Sequence, residues 1–143
     1  MARAVAPIPL TGTGTPVASN VAAIDTFGYN SALINIMVGT VTGTTAAVTY
    51  TIDAKVQESA TSGGTYTDIS GATITQIVGS HASTPVIAQI RVELGTPRQR
   101  FLKVVITPSI TPTLNAQVVV AATAVLGRAF KAPTGNSSTA SFA

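Results

Sequence analysis

Val48-Thr-Tyr-Thr-Ile-Asp-Ala-Lys-Val-Gln-Glu58 alternates without a break. Val48, Tyr50, Ile52, Ala54 and Val56 fall on one side of an extended chain, and Thr49, Thr51, Asp53, Lys55 and Gln57 on the other. Successive side chains of a strand point to opposite faces, so this segment predicts a strand with one face in a core and one in water, as antiparallel sheets allow. Val86–Leu94 repeats the pattern, with Val86, Ala88, Ile90, Val92 and Leu94 inward and Gln89, Arg91 and Glu93 outward. Arg100–Thr107 does so again, with Leu102, Val104 and Ile106 inward and Lys103 outward. Ser31–Val38 is apolar on both faces apart from Asn35 and reads as a central, doubly covered strand. Ala116–Leu126 is also apolar on both faces; its alanines would suit a helix, but Val118-Val119-Val120 and the short length favour strand.

Turn residues separate these runs. Ser62-Gly63-Gly64-Thr65 leads from the long strand into Tyr66-Thr-Asp-Ile69, a hairpin signature, and Gly71, Gly79, Gly95-Thr-Pro97 and Pro108 to Pro112 mark further corners. Roughly eight short strands with a turn signal about every ten residues predict an all-β fold, an antiparallel β-sandwich of jelly-roll type. We place that domain at 21–130. Before it, residues 1–20 carry Pro7, Pro9 and Pro16 around Thr11-Gly-Thr-Gly-Thr15 and read as an extended N-terminal arm. After it, 131–143 reads as an extended polar C-terminal tail. The opening ten residues fail as a signal peptide because Pro7 and Pro9 interrupt an apolar stretch that is already short. The longest apolar run, Val118–Leu126, is about half a membrane span. The expectation is a chain neither exported by that route nor membrane-spanning, and the absence of cysteine fits the cytosol.

Composition argues against chemistry. Only 9% of the 143 residues are charged, there is no Cys or Trp, and His81 is the single histidine. Proton transfer, metal chemistry and nucleophilic attack need convergent titratable side chains, and few are available here. His81 has no Cys, Asp or Glu at metal-ligand spacing. Asp53 and Glu58 fall on opposite faces of one strand because their separation is odd. Gly12-Thr-Gly14 lacks both the preceding strand and the following Gly-Lys-Ser/Thr of a phosphate loop. The expectation is a protein without catalytic, cofactor-binding or metal-ligating residues. Net charge is +3, and Arg91, Arg98, Arg100, Lys103, Arg128 and Lys131 face only Glu93 in the second half. Two readings stay open: a basic face for an acidic partner, or ordinary strand-end charges.

Three blocks carry a resemblance. Ile24-Asp-Thr-Phe-Gly-Tyr-Asn-Ser-Ala-Leu-Ile-Asn-Ile-Met-Val-Gly39 resembles a recurrent opening of small virion proteins of tailed bacteriophages, an Asp-Thr-x-Gly-Tyr lead into an apolar strand that ends in Gly. Ala54 to Ile69 is similar to their Gln-x-Ser segment, followed by a glycine-bearing turn and an aromatic-x-Asp-Val/Ile motif. Arg98-Gln-Arg-Phe-Leu-Lys-Val-Val-Ile-Thr107 and Ala124-Val-Leu-Gly-Arg128 resemble the strands that close the domain. The chain departs from the pattern at Ser59-Ala-Thr-Ser-Gly63, where the relatives carry an acidic turn.

The resemblance implies a head decoration or cement protein: a non-enzymatic β-sandwich on the outer capsid surface that clamps neighbouring major capsid subunits. Its partner would be the major capsid protein. The protein would sit on the virion as a homo-oligomer of two or three copies after synthesis in the host cytoplasm, with no direct contact to nucleic acid or membrane and no cofactor. Location and exposure select Val5, Ile8 and Leu10 of the arm, and Arg98, Arg100 and Arg128 at strand ends, as expected contacts. One rival is a tail-tube, neck or fibre-attachment protein. Another is a carbohydrate-binding sandwich, for which Phe27, Tyr29, Tyr50, Tyr66, Phe101, Phe130 and Phe142 are the available aromatics.

Overall fold

The computed structural model describes residues 2–10, 17–18, 23–42, 48–95, 97–111 and 116–129, with side chains at 23–42, 48–95, 97–111 and 116–127. Among the described residues ten strands account for the regular structure: β1 (Ala2–Leu10), β2 (Val17–Ala18), β3 (Ile24–Asp25), β4 (Tyr29–Thr42), β5 (Thr49–Ser59), β6 (Thr67–Thr73), β7 (Ile77–Ser80), β8 (Val86–Glu93), β9 (Phe101–Thr111) and β10 (Gln117–Ala129). There is no helix among the described residues. One sheet has the order β1-β10-β4-β8; the other has β2-β9-β5-β6, with β3 also on β9 and β7 also on β5. Every pairing is antiparallel. The all-β, antiparallel two-sheet expectation holds.

The alternation read from the sequence places the core. Tyr50, Ile52, Ala54 and Val56 of β5 and Leu102, Val104, Ile106 and Ile110 of β9 are buried on the inner face of one sheet. Ala32, Ile34, Ile36 and Val38 of β4 and Val118, Val120, Ala122 and Ala124 of β10 face them from the other, in a single apolar cluster. Register explains the alanines: Ile34 lies opposite Ala124 and Ile36 opposite Ala122, so large and small side chains alternate across neighbouring strands and let the two layers interdigitate. Each fully buried aliphatic side chain contributes about 1.5–3 kcal/mol by leaving water.

Several expectations change. β4 is central, between β10 and β8, but it is covered on one face only; Leu33, Asn35 and Met37 on its outer face are half-buried. β10 behaves alike, with Val119 and Val125 exposed at 39% and 40%. The outer faces of these strands are apolar because neighbouring strands shield them laterally, with no third layer among the described residues. The N-terminal segment is not free either. Ala2–Leu10 pairs with β10 as an edge strand, with register irregularities between Arg3 and Val5 and between Val5 and Ile8. An edge tolerates the missing amides of Pro7 and Pro9, which a central strand would not. Residues 11–16, 19–22 and the tail 131–143 lie outside the described residues.

Three expected corners, Gly71, Gly79 of β7 and Pro108, fall inside strands. Gly71 sits in β6 with φ +76°, at the register shift between β5 and β6, where a left-handed residue lets the strand bulge. Pro108 lies in β9 opposite Ile52. The described strands on the other side of β9 reach only residues 101–102 and 105–106, so no described neighbour needs an amide there.

Candidate interaction surface

The Asp-Thr-Phe-Gly-Tyr lead builds one end of the sandwich. Tyr29 N donates to Thr26 O at 3.1 Å across a four-residue turn whose third residue, Gly28, has φ +88°. Only glycine takes that position of a type II turn without strain. The Asp25 carboxylate accepts the Phe27 amide at 3.0 Å and closes the turn locally. Thr26 ties it to the other sheet: its amide and its hydroxyl both donate to the Arg100 carbonyl, at 3.0 and 2.6 Å.

Arg100 completes the joint. Its Nε and Nη2 donate to the two oxygens of Asp25 at 2.8 and 2.6 Å, a bidentate pair. The same guanidinium lies 4.9 Å from the Phe27 ring centre and 5.1 Å from that of Phe101. Beside it, Glu58 accepts from Arg98 Nη1 at 3.2 Å and from the Gln99 amide at 2.9 Å. Further round this end, Lys103 Nζ stands 4.3 Å over the Tyr66 ring, whose hydroxyl donates to the Ser62 carbonyl at 2.9 Å. The Gln-Glu-Ser block is structural in the same way: Gln57 and Lys55 both donate to Asp68 across the β5–β6 hairpin, at 2.7 and 2.8 Å.

Register brings the third expected arginine to this end. Ala129 pairs with Tyr29 and Gly127 with Ser31, so Arg128 takes a backbone place beside Asn30; its side chain is outside the described set. Arg98, Arg100 and Arg128 therefore share one end of the sandwich. Val5, Ile8 and Leu10 do not join them. They lie along β1 opposite Ala122, Val120 and Val118, a path that leads toward the far end, and their side chains are outside the described set.

Three of the six cations of the second half meet acids in space. Arg100 meets Asp25, Arg98 meets Glu58 and Arg91 meets Glu93. All five acids of the chain lie on described side chains and balance Lys55, Arg91, Arg98, Arg100 and Lys103, so the net +3 rests on Arg3, Arg128 and Lys131. What the end presents is an aromatic and arginine surface, with Arg98 and Arg100 paired to acids and Phe27 56% exposed. Around it lies a shallow depression of about 180 Å³ lined by Phe27, Tyr29, Leu94, Arg98 and Arg100. That is below the roughly 300–1,000 Å³ of small-molecule sites, and Tyr, Phe and Arg are the side chains enriched at protein interfaces. Phe27 was legible as a candidate: an aromatic second in a turn, between Thr26 and Gly28, has no place in a sheet-sheet core.

The Arg100 hydrogen bonds hold the Asp25 carboxyl below the usual carboxylate range; the Phe27 amide adds to this and burial opposes it. Lys55 and then Gln57 do the same for Asp68. With a folded value below the unfolded one, the Asp25 pair stabilises fully above about pH 4 and its contribution is lost as pH falls through the lower folded value. Both partners are half-exposed, so solvent screening keeps the pair's contribution small. We predict a flat melting temperature from neutral pH to about pH 5 and a decline below about pH 4, with a shallower decline in Arg100→Ala. Parallel pH profiles for the two proteins would contradict the assignment.

Among the described residues no three His, Cys, Asp or Glu side chains lie together as a metal site. His81 is exposed, and its amide donates to the Val48 carbonyl at 2.9 Å. A scan of the chain against protein-family models finds no match, and a search of curated proteins finds no relative.

Proposed function

We propose that this chain is a non-enzymatic virion structural protein that binds the outer capsid surface of a tailed phage and clamps neighbouring major capsid subunits. The observation that carries the reading is the arginine and aromatic end, where turns from both sheets are locked together and Phe27 is left outward. Rigid aromatic anchors beside internally neutralised arginines suit protein docking, because little side-chain freedom is lost on binding. The three blocks of phage-like sequence supply most of the residues at that end.

Strand order supports the finer fold reading. Counting β2–β3 and β6–β7 as one strand each gives the orders 1-8-3-6 and 2-7-4-5, which agree with the winding of a jelly roll. That winding occurs in capsid domains and in lectins, so the surface must separate the two. Sugar sites stack an open aromatic face on the ring, whereas here Arg100 lies over Phe27 and Phe101, and Lys103 over Tyr66. The decoration role is favoured on that ground.

The test is binding of purified protein to undecorated heads. Phe27→Ala removes an exposed ring without touching the core, so its melting temperature should stay near that of the parent. Its affinity for heads should fall about 5- to 30-fold, the effect of a central aromatic contact. Failure of the parent protein to bind heads, or equal decoration by parent and variant, would overturn the reading.

A further inference from the structure

Among the described residues four edges bound the two sheets, and three of them are blunted. β1 carries Pro7 and Pro9 and two register irregularities. β2 and β3 are two-residue fragments, and β6 is broken at Gly71. β8 is different. It pairs with β4 through eight consecutive residues without a shift, contains no Gly or Pro, and has no described strand on its other side. Natural sheets protect such edges or use them.

The hydrogen-bond phase of this edge follows from one bond. Leu94 N donates to Asn30 O at 2.8 Å, and residues 94 and 30 continue the β4–β8 register. Bonded and non-bonded pairs alternate in an antiparallel ladder, so Ile90 and Val92 bond to β4. Ile87, Gln89 and Arg91 then turn their backbone N–H and C=O to the open side. Their side chains, with Glu93, lie on the outer face of the sheet, and Ile87 is 66% exposed.

We propose that β8 pairs antiparallel with β8 of a second copy of this chain across a two-fold axis, joining the two four-stranded sheets into one. Charge selects the copy and the register. An axis at Arg91 or at Glu93 would set like charges face to face. An axis at Val92 sets Arg91 opposite Glu93 of the second copy, and the symmetry repeats that pair. In the same register Ile90 meets Leu94 of the second copy. Arg91 and Glu93 are 64% and 56% exposed, so both can exchange their contact within the strand for one across the axis. The inference does not rest on the capsid reading, since the dimer would form in free solution.

Sedimentation and light scattering over a dilution series should find a dimer for the parent protein. Arg91→Glu places two acids opposite two acids, and Glu93→Arg places two cations opposite two cations, so each alone should weaken dimerisation at least about tenfold. Mixed together, the two variants should form a heterodimer, because each supplies the charges the other needs; a merely intrachain role for this ion pair cannot produce that recovery. Arg91→Pro removes an outward amide that this register pairs with Glu93 of the second copy, at an edge that tolerates proline, and should give a folded monomer, checked by circular dichroism. A monomeric or trimeric parent, or a mixture that stays monomeric, would overturn the proposal.

Discussion

Tyr50→Ala is expected to cost about 3–5 kcal/mol of folding stability, the usual range for emptying an aromatic site in a core. Tyr50 is 2% exposed and heads the described side chains by volume among those fully buried. It sits on β5 between Gly79 of β7 and Ile110 of β9, so its ring is enclosed laterally by both neighbouring strands and faced by the opposite sheet. Its neighbours belong to strands and cannot collapse into the void without breaking register, which keeps the cavity term large. Burial raises the hydroxyl's pKa, against the opposing hydrogen bond with the Ser83 side chain. Tyr50→Phe separates the two contributions: loss of the hydroxyl should cost only about 0.5–1.5 kcal/mol. Denaturant unfolding of the three proteins measures this directly. A loss below about 1 kcal/mol for Tyr50→Ala would mean the ring is not the packing centre the geometry makes it.

The sequence made this core legible because burial and period coincide. Every inward residue of the β5 segment is buried, and so are Leu102, Val104 and Ile106. Where the period fails as a guide, the reason is lateral. Leu33, Met37, Val119 and Val125 are apolar yet outward, because a central strand is shielded by its neighbours even when its outer face is open. A single chain of letters records which residues are apolar, not which strand lies beside which. The same limit hid the charge balance: Asp25 and Glu58 neutralise Arg100 and Arg98 across separations of 75 and 40 residues. Of the two readings open for the second half, ordinary strand-end charges fit Arg91, Arg98 and Arg100, each of which meets an acid in space. Pro108 and Gly71 mark corners by local propensity, and pairing overrode it, since an open strand side accepts proline and a bulge accepts glycine. The arginine end was half legible. Arg98 and Arg100 were visible as strand-end cations, whereas the turn that stacks Phe27 on Arg100 depends on a contact 73 residues away in sequence.

Gly79→Val should be as damaging as losing the tyrosine, and for the complementary reason. A Cβ built on Gly79 falls on the Cζ and Oη of Tyr50 and 2.6 Å from Cε1. The ring cannot yield by turning outward, because it is 2% exposed and held between strands. Gly79 lies in β7 in ordinary extended backbone, so the penalty is steric and not conformational. Overpacking of this kind costs about 1–3 kcal/mol, and displacing a buried aromatic takes the estimate to the upper end, near 3 kcal/mol. Gly63→Val is the matched control: nothing lies within 4 Å of its added Cβ, and a change within about 0.5 kcal/mol is expected. The decisive measurement is the double variant. If valine and ring compete for one volume, Tyr50→Ala should absorb part of the Gly79→Val penalty, and the pair should be about 1–2 kcal/mol more stable than the sum of single losses predicts. Strict additivity would show that the two residues do not share that space, and the packing of β7 on β5 would have to be described differently.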